Sequence, residues 1–380
     1  MVEFEGRKSF KFVFIGLIMI LLTFFLAACI NQNPSKPKSP PKNEKKNHLH
    51  TASMKSWKLP LSISKGEFFK SVGWLAENQV LYITNFEQTS NVYLYHLVTG
   101  KNDLVYKSAS PIVSVKISPS KKYILIQSSP SSYQGIIVII NLMGKELWKQ
   151  SLPSYELEFE WNPYDESKII VTKFNEDWSF KTFLIDLNKT KMTGISLPQP
   201  FLKWVDRETV AYLKWDEGTS SLFAPLMFKN IKNQQEKTLN PAVFQFSAYP
   251  NLLMTIKANV HDKTKSTYIF YDQKMKSFFS FSIPQLTNYS DWVVPYYDFI
   301  ESKNQFLTFM PLESTESDSY TEGFDLVSYD IQKGTKKQIL KGMNNQPLIC
   351  SPQGNACLYG NSLEKIIDVK EKKIINLVKE

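Results

Sequence analysis

Two short phrases recur along this chain in step, about 45 residues apart, and that period restricts the fold more than any other feature. The first is an apolar strand ending in a small polar or acidic residue, then an aliphatic and a Gly/Lys turn: YLYHLVTGK, IVIINLMGK, FLIDLNKTK, LMFKNIKNQ, IFYDQKMK, LVSYDIQKG and KIIDVKEKK. Its polar positions are His96, Asn141, Asp186, Asn230, Asp272, Asp330 and Asp368. Such side chains can bond backbone amides of the following turn, a local reason for that residue type there. The second phrase, strand, polar turn, strand, lies ahead of each copy and is anchored near Trp74, Ile117, Trp161, Trp204, Ala248, Phe299 and Cys350. Each unit therefore reads as four strands in an up-and-down meander. Beyond Trp57 the runs are β-branched and aromatic, divided by Pro, Gly, Asn and Ser, and no helical period persists.

Four strands per unit at this period predict an all-β chain folded as a single β-propeller, with seven blades by repeat count. One blade cannot bury both its faces, so closure into a ring stabilises the whole. Composition agrees. Of 380 residues, 43% are apolar and 14% aromatic, enough side-chain volume for a packed core, which excludes disordered, collagen-like and disulfide-scaffold classes.

The formal net charge of +9 is concentrated near the N-terminus, where residues 30–56 hold six lysines and one glutamate, Glu44. The folded part is nearly neutral, and no cluster of Lys/Arg on it suggests a nucleic-acid partner. Arg7, Lys8 and Lys11 precede an apolar run from Phe12 to Phe25, which reads as an export signal and is short for a spanning helix. Leu26-Ala27-Ala28-Cys29 resembles the bacterial lipobox. That resemblance implies a diacylglyceryl group on the Cys29 thiol and cleavage that makes Cys29 the new N-terminus. An uncleaved anchor ending in a chance cysteine is the alternative; both put the rest of the chain outside the cytoplasm. Two acyl chains hold stably because each buried methylene contributes about 0.8 kcal/mol. The stretch after Cys29, with Pro34, Pro37, Pro40 and Pro41, has almost nothing to bury and reads as a semi-extended tether.

The turns SPSKK and SPQGN resemble those of TolB-like and peptidase-associated propellers. With the lipobox and tether, the whole chain resembles the YqgU-like β-propeller lipoproteins of Bacillus-type bacteria. That family is described as six-bladed and its function is unknown, so six blades stand as the alternative to seven.

Catalytic motifs are missing. There is no Gly-x-Ser-x-Gly, no HExxH, no phosphate-cradling glycine loop and no dinucleotide fingerprint. Of four histidines, His48 and His50 sit in the tether, His96 takes a turn-capping position, and His261 lies in a loop able to face a ligand. Carboxylates gathered from different blades would leave no linear motif, so an envelope hydrolase or lyase using acids at the ring's mouth remains the alternative function. The acidic stretch Glu313, Glu316, Asp318, Glu322 and Asp325 lacks the EF-hand spacing and reads as a solvated loop. Cys350 and Cys357 flank a turn on Gln353-Gly354 that would set them opposite each other, within roughly 4.5–5.5 Å between Cα atoms. A disulfide and two buried thiols are the two readings; zinc is not expected, for want of further ligands.

In a meander, loops joining strands two and three share a face with the links to the next blade. Those loops are long here, whereas the opposite turns are short and Lys-rich. Long loops on a rigid ring carry function, so this face is the expected binding face, with candidates Tyr155, Asp177, Trp178, Trp215, Glu217, His261 and Trp292. Trp161 and Trp204 recur at blade anchors and belong to the core. The chain is thus expected to comprise a signal peptide (1–28), a lipidated Cys29 with basic tether (29–56) and a propeller (57–380). It is read as a membrane-anchored, non-catalytic binding or scaffold module for an envelope protein or polymer, monomeric and without cofactor.

Overall fold

A computed structural model describes residues 56–379 apart from 217, 219, 220 and 290. The signal segment, Cys29, the tether through residue 55 and Glu217 lie outside the described residues. Among those described, seven four-stranded antiparallel sheets follow one another in chain order, at residues 67–108, 112–153, 156–195, 203–243, 245–284, 297–343 and 348–376. They are the blades of a β-propeller. In each, the four strands are sequential neighbours, and the first strand is innermost: Glu67–Ala76 touches the first strands of both adjacent blades, Ile112–Ile117 and Leu348–Cys350, around the axis.

Strand alternation explains why blades stack. Along Gln79–Phe86, Val80 and Tyr82 point into the interface with the last blade, whereas Leu81 and Ile83 point into that with the second. All four are at most 3% exposed. The same division repeats around the ring, so seven apolar clusters separate seven pairs of neighbouring blades. Strands buried on both faces read as nearly continuous runs of β-branched and aromatic residues for this reason. Trp161 and Trp204 sit in two of these clusters, 9% and 1% exposed.

Among the described residues no strand is exchanged between the chain ends. The first blade comes wholly from the N-terminal side and the last from the C-terminal side, and they meet through side chains and isolated hydrogen bonds. Trp74 Nε1–H donates to the Ile349 carbonyl at 2.9 Å. The Glu77 carboxylate accepts from Ser351 Oγ, Gln353 N and Asn355 Nδ2 at 2.9–3.0 Å. Trp57 and Leu61, ahead of the first strand, join the apolar cluster at this seam.

The turns after third strands form as the repeat predicts. Asn141, Asp186, Asn230, Asp272, Asp330 and Asp368 each accept two backbone N–H groups of their own turn. His96 departs from the expectation: its ring reaches across the sheet to Asp103, 2.9 Å away, and Gln79, at 3.3 Å. An imidazole is too long to fold back on its own turn, and only its carbonyl bonds there, accepting from Gly100 N. The last first-to-second turn closes on Gly354, whose φ of +60° places it in the left-handed region, and Cys350 and Cys357 pair opposite each other in a disulfide. Cys357 is fully buried, while Cys350 is half-buried beside the axis.

Candidate functional site

The first strand of the third blade, Glu156–Trp161, alternates acids with apolar residues. Leu157, Phe159 and Trp161 turn into the cluster with the second blade, which leaves Glu158 and Glu160 facing the axis. Both are met by lysines from neighbouring inner strands: Lys203 Nζ lies 2.7 Å from Glu160, and Lys116 Nζ 3.3 Å from Glu158. Lys116 also donates to the Phe159 carbonyl at 3.0 Å. Burial pushes the Glu160 carboxyl above its ordinary value, with Lys203 opposing the shift. Burial disfavours the charged Lys203 ammonium, but Glu160 more than offsets this and holds its pKa above the usual value. Further round, Tyr297 OH bonds Gln245 and Ser247 at 2.9 and 2.8 Å, and the Asp298 carboxylate accepts the Cys350 and Phe299 N–H groups at 2.6 and 2.8 Å. The axis is therefore lined by polar groups that tie blades together.

Above Glu158, Glu160 and Lys203, at the end carrying the second-to-third loops and interblade links, opens a cavity of about 680 Å³. Its wall comes from the link Gln199 to Leu202, the fourth-blade loop with Trp215 and Leu222, and Phe244 and Phe246 entering the fifth blade. Phe201 and Trp215 are 65% and 40% exposed, so the rim offers aromatic faces to solvent over a floor of paired charges.

A second aromatic row leads to this rim. Tyr133, Tyr155, Trp178, Phe174 and Phe201 follow one another with ring centroids 5.7–6.4 Å apart. Trp178 stands at φ +62°, 59% exposed, a left-handed backbone unusual for so bulky a residue. It is held there by a turn in which Asn175 N bonds the Ser179 carbonyl. On the far side, a small sheet joins Leu286–Asn288 and Asp291–Val293, from the link between the fifth and sixth blades, to Thr315–Glu316 in the sixth blade's second-to-third loop. It packs Trp292 on Phe223 and Phe244 at 5.2 and 5.1 Å and brings Asp291 to the cavity wall.

Of the residues singled out in the sequence, Tyr155 and Trp178 meet in one row, Trp215 stands in the wall and Trp292 backs it. Asp177 and His261 stay apart. The Asp177 carboxylate is taken by Ser179, whose hydroxyl and N–H hold its pKa down, and His261 sits exposed on the fifth-blade loop away from the cavity lining. Sequence reasoning missed Phe201, Phe244, Lys203 and the acids of Glu156–Trp161. The alternation of that strand was the available signal, because acids at every second position of an inner strand must face the axis. Among the described residues no three His, Cys, Asp or Glu converge to hold a metal, and no helix is long and apolar enough to cross a membrane. In the acidic loop, Ser314 donates to the Gln285 carbonyl and Tyr320 OH to the Gly323 carbonyl, which ties the loop down through neutral groups.

Comparison with known proteins agrees with the β-propeller fold, while the family description counts six blades where seven four-stranded sheets are present here. The profile of the YqgU-like 6-bladed beta propeller domain matches residues 96–360, which hold five whole blades and parts of the first and last. The uncharacterized lipoprotein YqgU of Bacillus subtilis is 28% identical over 363 residues, 95% of this chain and 96% of that one. The crystal structure of uncharacterized protein lmo1340 from Listeria monocytogenes superposes with a TM-score of 0.77 at 26% identity, over 83% of this chain and 96% of that one. An oligogalacturonate lyase in complex with manganese shares the fold at a TM-score of 0.55 and 11% identity, covering 78% and 86%.

Proposed function

The chain belongs to the YqgU-like β-propeller family, and from that premise we propose that it is a lipid-anchored extracytoplasmic binding module. It takes an envelope protein or polymer at the aromatic end of the ring and performs no chemistry on it. The observation that carries this reading is the cavity of about 680 Å³ whose rim exposes Phe201 and Trp215 and continues into the row ending at Tyr133. Large, rigid aromatic faces around a concave site supply binding area at little cost in side-chain entropy. Membrane attachment through Cys29 is supported by Leu26-Ala27-Ala28-Cys29 and by the relative's description as a lipoprotein.

The floor favours binding over catalysis, since Glu158 and Glu160 are each committed to a lysine. A hydrolase or lyase would need one of them released as acid or base, and the raised Glu160 carboxyl is the residue to watch for that second reading. Crosslinking in intact cells followed by pull-down tests the proposal. The wild type is expected to retain a specific partner that Trp178→Ala/Trp215→Ala loses. Retention by the variant, or loss instead on Glu158→Gln/Glu160→Gln with accumulation of uncleaved polymer, overturns it.

A further inference from the structure

We propose that the opposite end of the ring docks on an anionic lipid surface, so that the aromatic cavity faces away from the membrane. Because every first strand runs the same way along the axis, all turns between third and fourth strands lie at one end. Each carries or directly borders at least one lysine, from Lys101 at the start of the first blade's fourth strand to Lys370 in the last turn. Most nearby acids do not cancel this rim, because they sit deeper than its lysines; Glu146 and Glu371 are exposed beside it but are outnumbered by the lysines of the seven blades. Asp186 and Asp330 are sunk into their turns, 13% and 16% exposed, with carboxylates held by backbone N–H groups, while Lys189 and Lys333 stand 76% and 78% exposed. Lys232 against Glu208, at 71% and 41%, and Lys101 against Asp103, at 68% and 40%, repeat the order. What the outermost layer offers a flat surface is ammonium groups, the complement of lipid phosphates.

Two independent observations point the same way. Leu142 and Met143, 41% and 87% exposed, project from the second-blade turn beside Lys145, an apolar pair beside a cation, as at a bilayer interface. The described chain also joins the ring at this end: Trp57 Nε1 donates to Asn78 Oδ1 in a first-to-second turn, and Lys58 N to the Leu97 carbonyl in a third-to-fourth turn. The described chain therefore enters the domain at the lysine end. Which way the ring faces in the cell rests on the lipid-anchor reading above; docking needs only the rim.

The test uses chain 29–380 with Cys29→Ser, which contains every blade and the Trp57 segment and carries no acyl group. Partition onto vesicles of phosphatidylcholine with phosphatidylglycerol is compared with phosphatidylcholine alone. Lys145→Gln/Lys189→Gln/Lys274→Gln/Lys370→Gln is expected to lower partition onto anionic vesicles by about tenfold or more. The matched loop-end set Lys181→Gln/Lys214→Gln/Lys263→Gln/Lys341→Gln is expected to leave it unchanged. Raising salt from about 0.1 to 0.5 M should release the wild type. Equal loss in both sets, no loss in the rim set, or binding insensitive to salt overturns the proposal. None of these outcomes touches the cavity, and loss of a partner in Trp178→Ala/Trp215→Ala leaves the vesicle result standing, so the two readings fail separately.

Discussion

Asp298 sits on the inner strand Tyr297–Ile300 with its carboxylate turned to the next blade, where the Cys350 N–H reaches it at 2.6 Å. Burial raises its pKa from 3.8 to about 6, with Glu301 adding to the rise and the two N–H donors and Lys121 opposing it. A group whose folded pKa lies above its unfolded value contributes stability that is complete below the unfolded pKa and lost as pH rises through the folded one. From about pH 4 to pH 6 Asp298 should therefore cost the fold stability, of order 1–3 kcal/mol given its partial exposure, and add no further change above. Urea denaturation across that window is expected to show the fall in the wild type and a smaller one in Asp298→Asn. Identical pH profiles would dismiss it. Residues of this sort carry no mark in the sequence. Asp298 differs from the capping aspartates only in which strand it occupies, and its environment is supplied by a blade that begins 50 residues later.

Elements were legible to the extent that their causes are local. An Asp or Asn that ends a strand can satisfy two amides of its own turn, so the third-to-fourth turns declared themselves, whereas His96 failed the same rule for want of a short acceptor. The disulfide is local too, since a tight turn on Gly354 sets Cys350 opposite Cys357. The two cysteines are seven positions apart, and closing so short a loop contributes about 2–3 kcal/mol through the unfolded chain. Cys350→Ser/Cys357→Ser should thus lower Tm by a few degrees without loss of the fold, measured against wild type with and without reductant. The small sheet of Leu286–Asn288, Asp291–Val293 and Thr315–Glu316 escaped notice because its strands are two or three residues long and one pair is parallel between distant segments. No periodicity survives in so short a run, and yet this sheet carries Trp292 and Asp291 to the cavity.

At the scale of the ring, the seam between first and last blades is the one interface that chain connectivity does not reinforce. Its hold is the apolar cluster of Trp57, Trp74, Leu358 and Ile366 with the three donors on Glu77. Backbone amides of the first and last blades are therefore expected to exchange hydrogen faster than those of the third and fourth. Glu77→Ala should widen the difference and cost about 1–2 kcal/mol, because it strands the buried Ser351 hydroxyl and removes two further bonds across the seam. Uniform exchange around the ring would show that the seam is no weaker than the rest. What the sequence alone determined was the blade: its four strands, its turns, its period and its repetition, all set by alternation and hydrogen bonds within some 45 residues. Which end carries long loops followed from the same meander. Only the closed ring decided which side chains meet, because the floor of Glu158, Glu160 and Lys203 and the row from Tyr133 to Phe201 draw on neighbouring blades. Their distances depend on how one blade rotates against the next, and packing across the interblade clusters sets that rotation.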